Sequence, residues 1–258
     1  MYTMGLDIGS TATKGVIVEN GKKISATSTI SSGTGTTGPA RVLKELFEKL
    51  NISRADIDKL VVTGYGRMRY TDADKQISEL SCHTKGVTFL VPNVKTIIDI
   101  GGQDAKALKL NEKGQLMNFV MNDKCAAGTG RFLDVMARAL EVKVSELGDL
   151  SAKSTEEISI SSTCTVFAES EVISQLSNEV SIENIIAGIH ASVAKRVSSL
   201  AKRVGIEETV VMVGGVAKNS GVISAMEKAI GLKIIVPELA QLTGALGAAL
   251  YAFDESQK

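Results

Sequence analysis

The sequence predicts an α/β protein of two lobes in which the second lobe repeats the first, and three observations lead there. At 258 residues the chain exceeds the usual size of one hydrophobic core. Short strand-like apolar runs alternate with segments of helical spacing. Asp7-Ile8-Gly9 near the start returns as Asp99-Ile100-Gly101, with Lys14 and Lys106 at matching places, the mark of an internal duplication.

Taken in order, Thr3 to Leu6 reads as a strand that runs into a turn over Asp7 to Lys14. Gly15 to Glu19 forms the next strand, Asn20-Gly21 is a hairpin turn, and the chain returns over Lys22 to Thr29. After a Gly/Thr-rich loop from Ser31 to Gly38, Pro39 opens a helix to about Leu50, and Lys59 to Thr63 is again a strand. The second half repeats the opening: a strand from Val94 to Ile98, a turn from Asp99 to Lys106, strands over 107–110 and 115–120, and a turn between them. Helices are predicted over 145–153, after Cys164, and over 182–204 with Ser181 as N-cap. A strand from Thr209 to Val213, a helix from Ser220 to Ile230, a strand from Lys233 to Val236 and an Ala/Gly-rich helix from Gln241 to Phe253 complete the chain. The expected lobes are 1–92, with helix 241–253 packing back on it, and 93–258.

Composition removes several classes of function. Lysine plus arginine and aspartate plus glutamate each number 29, so the net charge is zero, and with no tryptophan and four tyrosines there is neither an electrostatic footprint nor a stacking platform for nucleic acid. The start lacks the basic and apolar regions of a signal peptide, and no apolar run approaches a bilayer's thickness, so a cytoplasmic protein with no membrane partner is expected. Three cysteines without a C-x-x-C pair argue against a disulfide framework and against a zinc site built by one chain.

The repeated turns suit phosphate. In Asp7-x-Gly9-Ser10-Thr11-Ala12-Thr13-Lys14 and Asp99-x-Gly101-Gly102-Gln103-Asp104, glycine lets backbone N–H groups approach phosphate oxygens while hydroxyls donate and Lys14 offers a point charge. The aspartates would hold Mg2+ through water, and Gln103 and Asp104 are placed to orient or deprotonate a water that attacks the terminal phosphate of ATP. Gly214-Gly215-Val216-Ala217-Lys218-Asn219, following a strand, would carry the adenosine, and Gln241 and Gly244 complete the expected nucleotide contacts.

Two cysteines precede helical segments. Asn122-Asp123-Lys124-Cys125-Ala126-Ala127-Gly128-Thr129-Gly130 leads into an apolar helical spacing from Arg131, and Ser161-Ser162-Thr163-Cys164-Thr165 leads into another. A helix N-terminus favours thiolate over thiol, and the thiolate is the form that binds metal or attacks. Cys82-His83 lies on a predicted helix and reads first as core packing, with a third ligand as the alternative. His190, inside a helical segment, reads as a hydrogen-bonding partner for a neighbour. Lys124 and Arg131 either steer an acidic redox partner or are solvated surface charges.

The layout of these motifs resembles the actin, hexokinase and heat-shock ATPase superfold over the whole chain. Adding Asn122 to Phe132 and Ser161 to Ser170 narrows the resemblance to the ATP-dependent activators of 2-hydroxyacyl-CoA dehydratases, the activase family that includes the ATPase subunits of benzoyl-CoA reductase. It implies a duplicated two-lobed actin-like ATPase fold with a nucleotide cleft between the lobes. It also implies a homodimer holding one 4Fe-4S cluster between subunits, with Cys125 and Cys164 as ligands. Read alone, the cysteines agree, because two thiolates per chain complete a four-thiolate site across a two-fold axis. The expected activity is an ATPase that passes one low-potential electron from reduced ferredoxin or flavodoxin to a dehydratase of anaerobic amino-acid fermentation. The alternative is a small-molecule kinase of the same superfold.

Overall fold

The structure is a computed structural model and describes residues 1–156, 158–160 and 164–258. The chain forms two units, one made of Met1–Val94, Asn111–Leu116 and Pro237–Lys258, the other of Lys95–Leu110 and Met117–Val236.

The first unit opens with β1 (Tyr2–Ile8), β2 (Thr13–Glu19), β3 (Lys23–Ile30), α1 (Gly38–Leu50), β4 (Ile57–Thr63), β5 (Lys75–Gln76) and α2 (Glu79–Leu90). Its sheet runs β3-β2-β1-β4-β5, antiparallel through β3, β2 and β1 and parallel from β1 to β5. The second unit holds β6 (Thr96–Ile100), β7 (Ala105–Leu110), β8 (Leu116–Asn122), α3 (Gly130–Ala139), α4 (Leu147–Ser151), α5 (Thr165–Ser177), α6 (Ile182–Lys202), β9 (Val210–Val213), α7 (Ser220–Ile230) and β10 (Ile234–Ile235). Its sheet runs β10-β9-β6-β7-β8, the same order, with β6 antiparallel to β7 and parallel to β9. The last helix, α8 (Thr243–Ser256), belongs to the first unit.

Local chemistry explains most of these elements. Asn20 and Gly21 both take the left-handed conformation, at φ 52° and 68°, that a tight hairpin between β2 and β3 demands. Pro39 sits in the first turn of α1, where its missing N–H costs nothing. The predicted helix over 145–153 is shorter than expected, a 3-10 turn at Val144–Glu146 followed by α4. One correction concerns the aspartates. Both were expected in turns, yet Asp7 lies inside β1 opposite Lys14, and Asp99 inside β6 opposite Lys106. A carboxylate with an ammonium directly across the ladder keeps the strand paired for that further step.

The pleat of β1 sorts its side chains. Met4, Leu6 and Ile8 pack with Val42 and Leu46 of α1 on one face. The other face carries Thr3, Gly5 and Asp7 toward α8, whose Ala245, Leu246 and Ala249 pack with Val16 and Val18. Small residues permit this approach: Thr3 Oγ1 donates to the Ala249 carbonyl at 3.0 Å, and a Cβ on Gly5 would collide with the α8 backbone. The contact of α8 with α2 is as close, because a Cβ on Gly247 would overlap the Cys82 carbonyl. Alanine at position 247 should therefore destabilise, although in an exposed helix it would gain about 1 kcal/mol over glycine. A net loss of about 1–3 kcal/mol is expected for Gly247→Ala, since backbone must move to admit the methyl group. Urea unfolding of wild type and variant measures it, and an unchanged or raised midpoint would contradict this packing.

Candidate functional site

In the first unit the Asp7 carboxylate is buried, 2% exposed, at the end of β1. Lys14 Nζ stands 3.3 Å from its Oδ2 across the hairpin, so the lysine expected to meet phosphate also pairs with the aspartate. The turn between them closes with Gly9 N–H donating to the Ala12 carbonyl at 2.9 Å. Ser10 and Thr11 are exposed at its tip, free to face a ligand. Thr13 is not, for it is buried and its hydroxyl donates to the Ser32 carbonyl at 2.7 Å. On the other side of Asp7, β4 ends at Thr63, and Gly64 follows with φ 87°. A Cβ there would strike Asp7 Oδ1 and the Ile8 carbonyl.

The second unit repeats this arrangement. Asp99 is 3% exposed, Lys106 Nζ stands 3.3 Å from its Oδ2, and Gly101 N–H donates to the Asp104 carbonyl at 2.9 Å. Here β9 ends at Val213, and Gly214, with φ 88°, crowds Asp99 Oδ1 and the Ile100 carbonyl as Gly64 crowds the first aspartate. The two sites differ in their ion pairs. Lys106 also holds Asp104 at 2.7 Å, so one ammonium bridges two carboxylates here, where the first unit has one. Gln103 is exposed beside them.

One neighbour of Asp7 escaped the sequence reading, and another was read differently. Gly64 follows a predicted strand as Gly214 does, and that parallel was the available signal. His83 was read with Cys82 as core packing or a third ligand, and only the fold brings it near Asp7. Its Nδ1 lies 2.9 Å from Thr243 Oγ1, and a Cβ on Gly244 would stand 3.0 Å from Asp7 Oδ2 and 3.2 Å from His83 Nε2. Cys82, its neighbour, is core: it is fully buried among Val61, Ala248 and Ala252, and burial pushes its thiol up to about 12, far from the thiolate a metal needs.

The segment after β9 exposes Gly215, buries Val216 and Ala217, and leads through Lys218 to Asn219. Asn219 is committed within the protein. Its Oδ1 caps α7 by accepting from Val222 N–H at 3.1 Å, and its Nδ2 lies 3.1 Å from His190 Nε2. His190 Nδ1 is 3.0 Å from Ser151 Oγ, which donates to the Gly148 carbonyl at 3.0 Å. Only one protonation pattern satisfies this chain: Nδ1–H donates to Ser151, and neutral Nε2 accepts from Asn219. Burial holds His190 in that neutral form by lowering its pKa to about 4. Gln241 is half-buried just before α8.

The cysteines are placed differently from one another. Cys164 is the exposed N-cap of α5, as expected. Cys125 is half-buried and lies ahead of the α3 N-cap, Thr129, because a turn closed by Thr129 N–H and the Ala126 carbonyl, at 3.0 Å, and Gly128 at φ 83° intervene. The first N–H groups of α3 do not serve its thiolate. Gly130 donates to the Gly101 carbonyl at 2.9 Å and Arg131 to the Gly102 carbonyl at 2.8 Å, which ties α3 to the second aspartate turn. Residues 161–163, quoted with Cys164 in the sequence reading, lie outside the described residues. α3 packs against α5, and both cysteines are free thiols with solvent access, the donor chemistry and openness that a thiolate-ligated cluster shared with another chain requires.

The model of the BadF/BadG/BcrA/BcrD ATPase family matches residues 4–252. This chain belongs to that family. Among curated members, it is 70% identical to the 2-hydroxyisocaproyl-CoA dehydratase activator of Clostridioides difficile, over all of this chain and 97% of that protein. It is 58% identical to the (R)-2-hydroxyglutaryl-CoA dehydratase activating ATPase of Acidaminococcus fermentans, over all of this chain and 99% of that one. The solved activator from Clostridium difficile, with bound ADPNP, superposes with a TM-score of 0.98 at 70% identity, covering all of this chain and 96% of the other. A ROK family glucokinase from Streptomyces griseus, at 12% identity, a TM-score of 0.62 and coverage of 98% and 100%, shares the fold alone. The fold of this BadF/BadG/BcrA/BcrD ATPase is thus the actin-like ATPase fold, and no described helix is long and apolar enough to cross a membrane.

The His190 network makes a pH prediction for this ATPase. Its folded pKa of about 4 lies below the ordinary 6.5, so the unfolded chain takes up the proton first. Its contribution is complete above pH 6.5 and is lost as the pH falls toward 4, by up to about 3 kcal/mol. His190→Gln should be less stable than wild type at neutral pH and lose less on acidification across that window. Parallel pH–stability curves would refute the neutral histidine.

Proposed function

We propose that this protein is an ATP-dependent electron-transfer activator. In this reading it hydrolyses ATP to deliver one low-potential electron to a 2-hydroxyacyl-CoA dehydratase. The electron comes from a 4Fe-4S cluster held between the two subunits of a homodimer, and the donor to that cluster is reduced ferredoxin or flavodoxin. The observation that carries the reading is 70% identity along the entire chain to a named dehydratase activator, together with two solvent-accessible thiols, one of them on the segment that leads into the helix bonded to the second aspartate turn.

In this reading the residues take the following roles. Asp7 and Asp99 hold Mg2+ through water. Backbone N–H groups and hydroxyls of Gly9, Ser10, Thr11, Ala12, Gly101 and Gly102 receive the phosphates. Gln103 orients the attacking water, and Asp104, fixed by Lys106, takes its proton. Gly214 to Lys218 carry the adenosine, with Gln241 and Gly244 beside it, while Asn219 holds the segment in place through His190. Cys125 and Cys164 of each chain supply the four thiolates, and the bound cluster supplies a one-electron carrier. The backbone bonds from Gly130 and Arg131 to Gly101 and Gly102 make the phosphate turn and the Cys125 segment move together, which is how nucleotide state reaches the electron site.

Iron analysis of anaerobically purified variants tests the ligand set. Wild type should hold about two irons per chain, Cys125→Ser and Cys164→Ser none while still binding ATP, and Cys82→Ser the wild-type amount. Full iron occupancy in Cys164→Ser would overturn the assignment.

A further inference from the structure

Behind the Cys125 segment lies an open pocket of about 290 Å³, lined by Asn122, Ala127, Gly128, Arg196, Ser199 and Arg203 among others. We infer that this pocket is the docking point for carboxylates of an acidic one-electron carrier protein, an inference that rests on the proposed electron-transfer function and locates its donor. Arg196, Ser199 and Arg203 follow one another at helical spacing along α6 and its end, so they present one face. Lys195 and Lys202 adjoin the two arginines, and after Glu183 this helix has no acidic residue. None of these four cations makes an ion pair among the described residues.

Simple helix-end electrostatics explains only part of this. Cations in the last turn complement the helix dipole, which accounts for Lys202 and Arg203. Arg196 lies well before that turn. Its stem is instead packed beneath the cysteine segment, where a Cβ on left-handed Gly128 would stand 3.2 Å from Arg196 Cδ. A guanidinium held this way has already lost much of its rotamer freedom and binds a carboxylate at less entropic cost. The pocket's size decides the occupant: about 290 Å³ with an open mouth is at the low end for enclosing a small molecule but admits carboxylates projecting from a protein surface. With the chain's net charge at zero, this patch is local and gives direction to an acidic partner. Position completes the case. Asn122 lines the pocket and donates its Nδ2 to the Cys125 carbonyl at 2.8 Å, so a carrier docked here sits against the segment that holds the cysteine. The step served is one electron lost by the carrier and one gained at the site of Cys125 and Cys164, with no bond made or broken.

The test uses the anaerobic holoprotein and flavodoxin, an acidic carrier, with binding read by calorimetry at low and high salt. Arg196→Glu/Arg203→Glu should weaken binding about tenfold or more and remove most of its salt dependence. ATP hydrolysis, solution mass and reduction by dithionite should be unchanged, and Arg196→Lys/Arg203→Lys should keep most of the affinity. Unchanged flavodoxin affinity in the Glu variant would overturn the inference. So would a fall in its solution mass, which would make this face a contact between copies of the chain. Because binding is read directly, failure here is distinct from failure of the activator reading, which the iron content of wild type decides.

Discussion

Each sheet places an aspartate at the end of its central strand, and each aspartate is gripped from both sides, by a lysine across the antiparallel ladder and by a left-handed glycine after the parallel neighbour. The remainder of the site is arranged around that constraint. In the second unit the lysine is itself buried, 2% exposed, so removing it would leave buried carboxylate uncompensated, a change that typically costs about 3–5 kcal/mol. The glycines are equally restricted, since any side chain would enter the space of the carboxylate and the adjacent carbonyl. Two buried acids can persist only because their partners are fixed before a nucleotide arrives, and such preorganisation is what phosphate chemistry draws on.

The second turn has a further attachment. The N–H groups that begin α3 are bonded to Gly101 and Gly102, so this helix is capped by the second aspartate turn itself. Cys125 lies on the short segment leading into that helix, and α3 packs on α5, which Cys164 caps. A change of backbone position at Gly101 and Gly102 must either shift α3 or break two hydrogen bonds. That gives the ATPase turn a direct mechanical grip on the cysteine segment without a long chain of side-chain contacts.

Much of this was legible in the sequence because it is local. The hairpin at Asn20-Gly21, the helix opened by Pro39, the strand before Gly214 and the strand pairs that follow each Asp-x-Gly all depend on neighbours a few residues apart, where propensity and spacing act. What escaped depends on distant parts of the chain. The pairing of Lys14 with Asp7 appears only once β1 and β2 are in register. Cys125 was read as heading a helix because nothing in its own neighbourhood reveals that the first amides of α3 are taken by Gly101 and Gly102. His190 and Asn219, separated by 29 residues, gave no hint of their bond, and Arg196 was indistinguishable from any solvated cation until Gly128 was seen to pack on it.

In the proposed mechanism the second aspartate turn and the cysteine segment act as one mechanical piece. Amide hydrogen exchange at Gly130 and Arg131, followed with and without a non-hydrolysable ATP analogue, tests it most directly. If the coupling is as described, nucleotide should change exchange at these two amides about tenfold or more, together with the amides of Gly101 to Asp104. Protection confined to Gly101 to Asp104, with Gly130 and Arg131 exchanging at the same rate in both states, would contradict it.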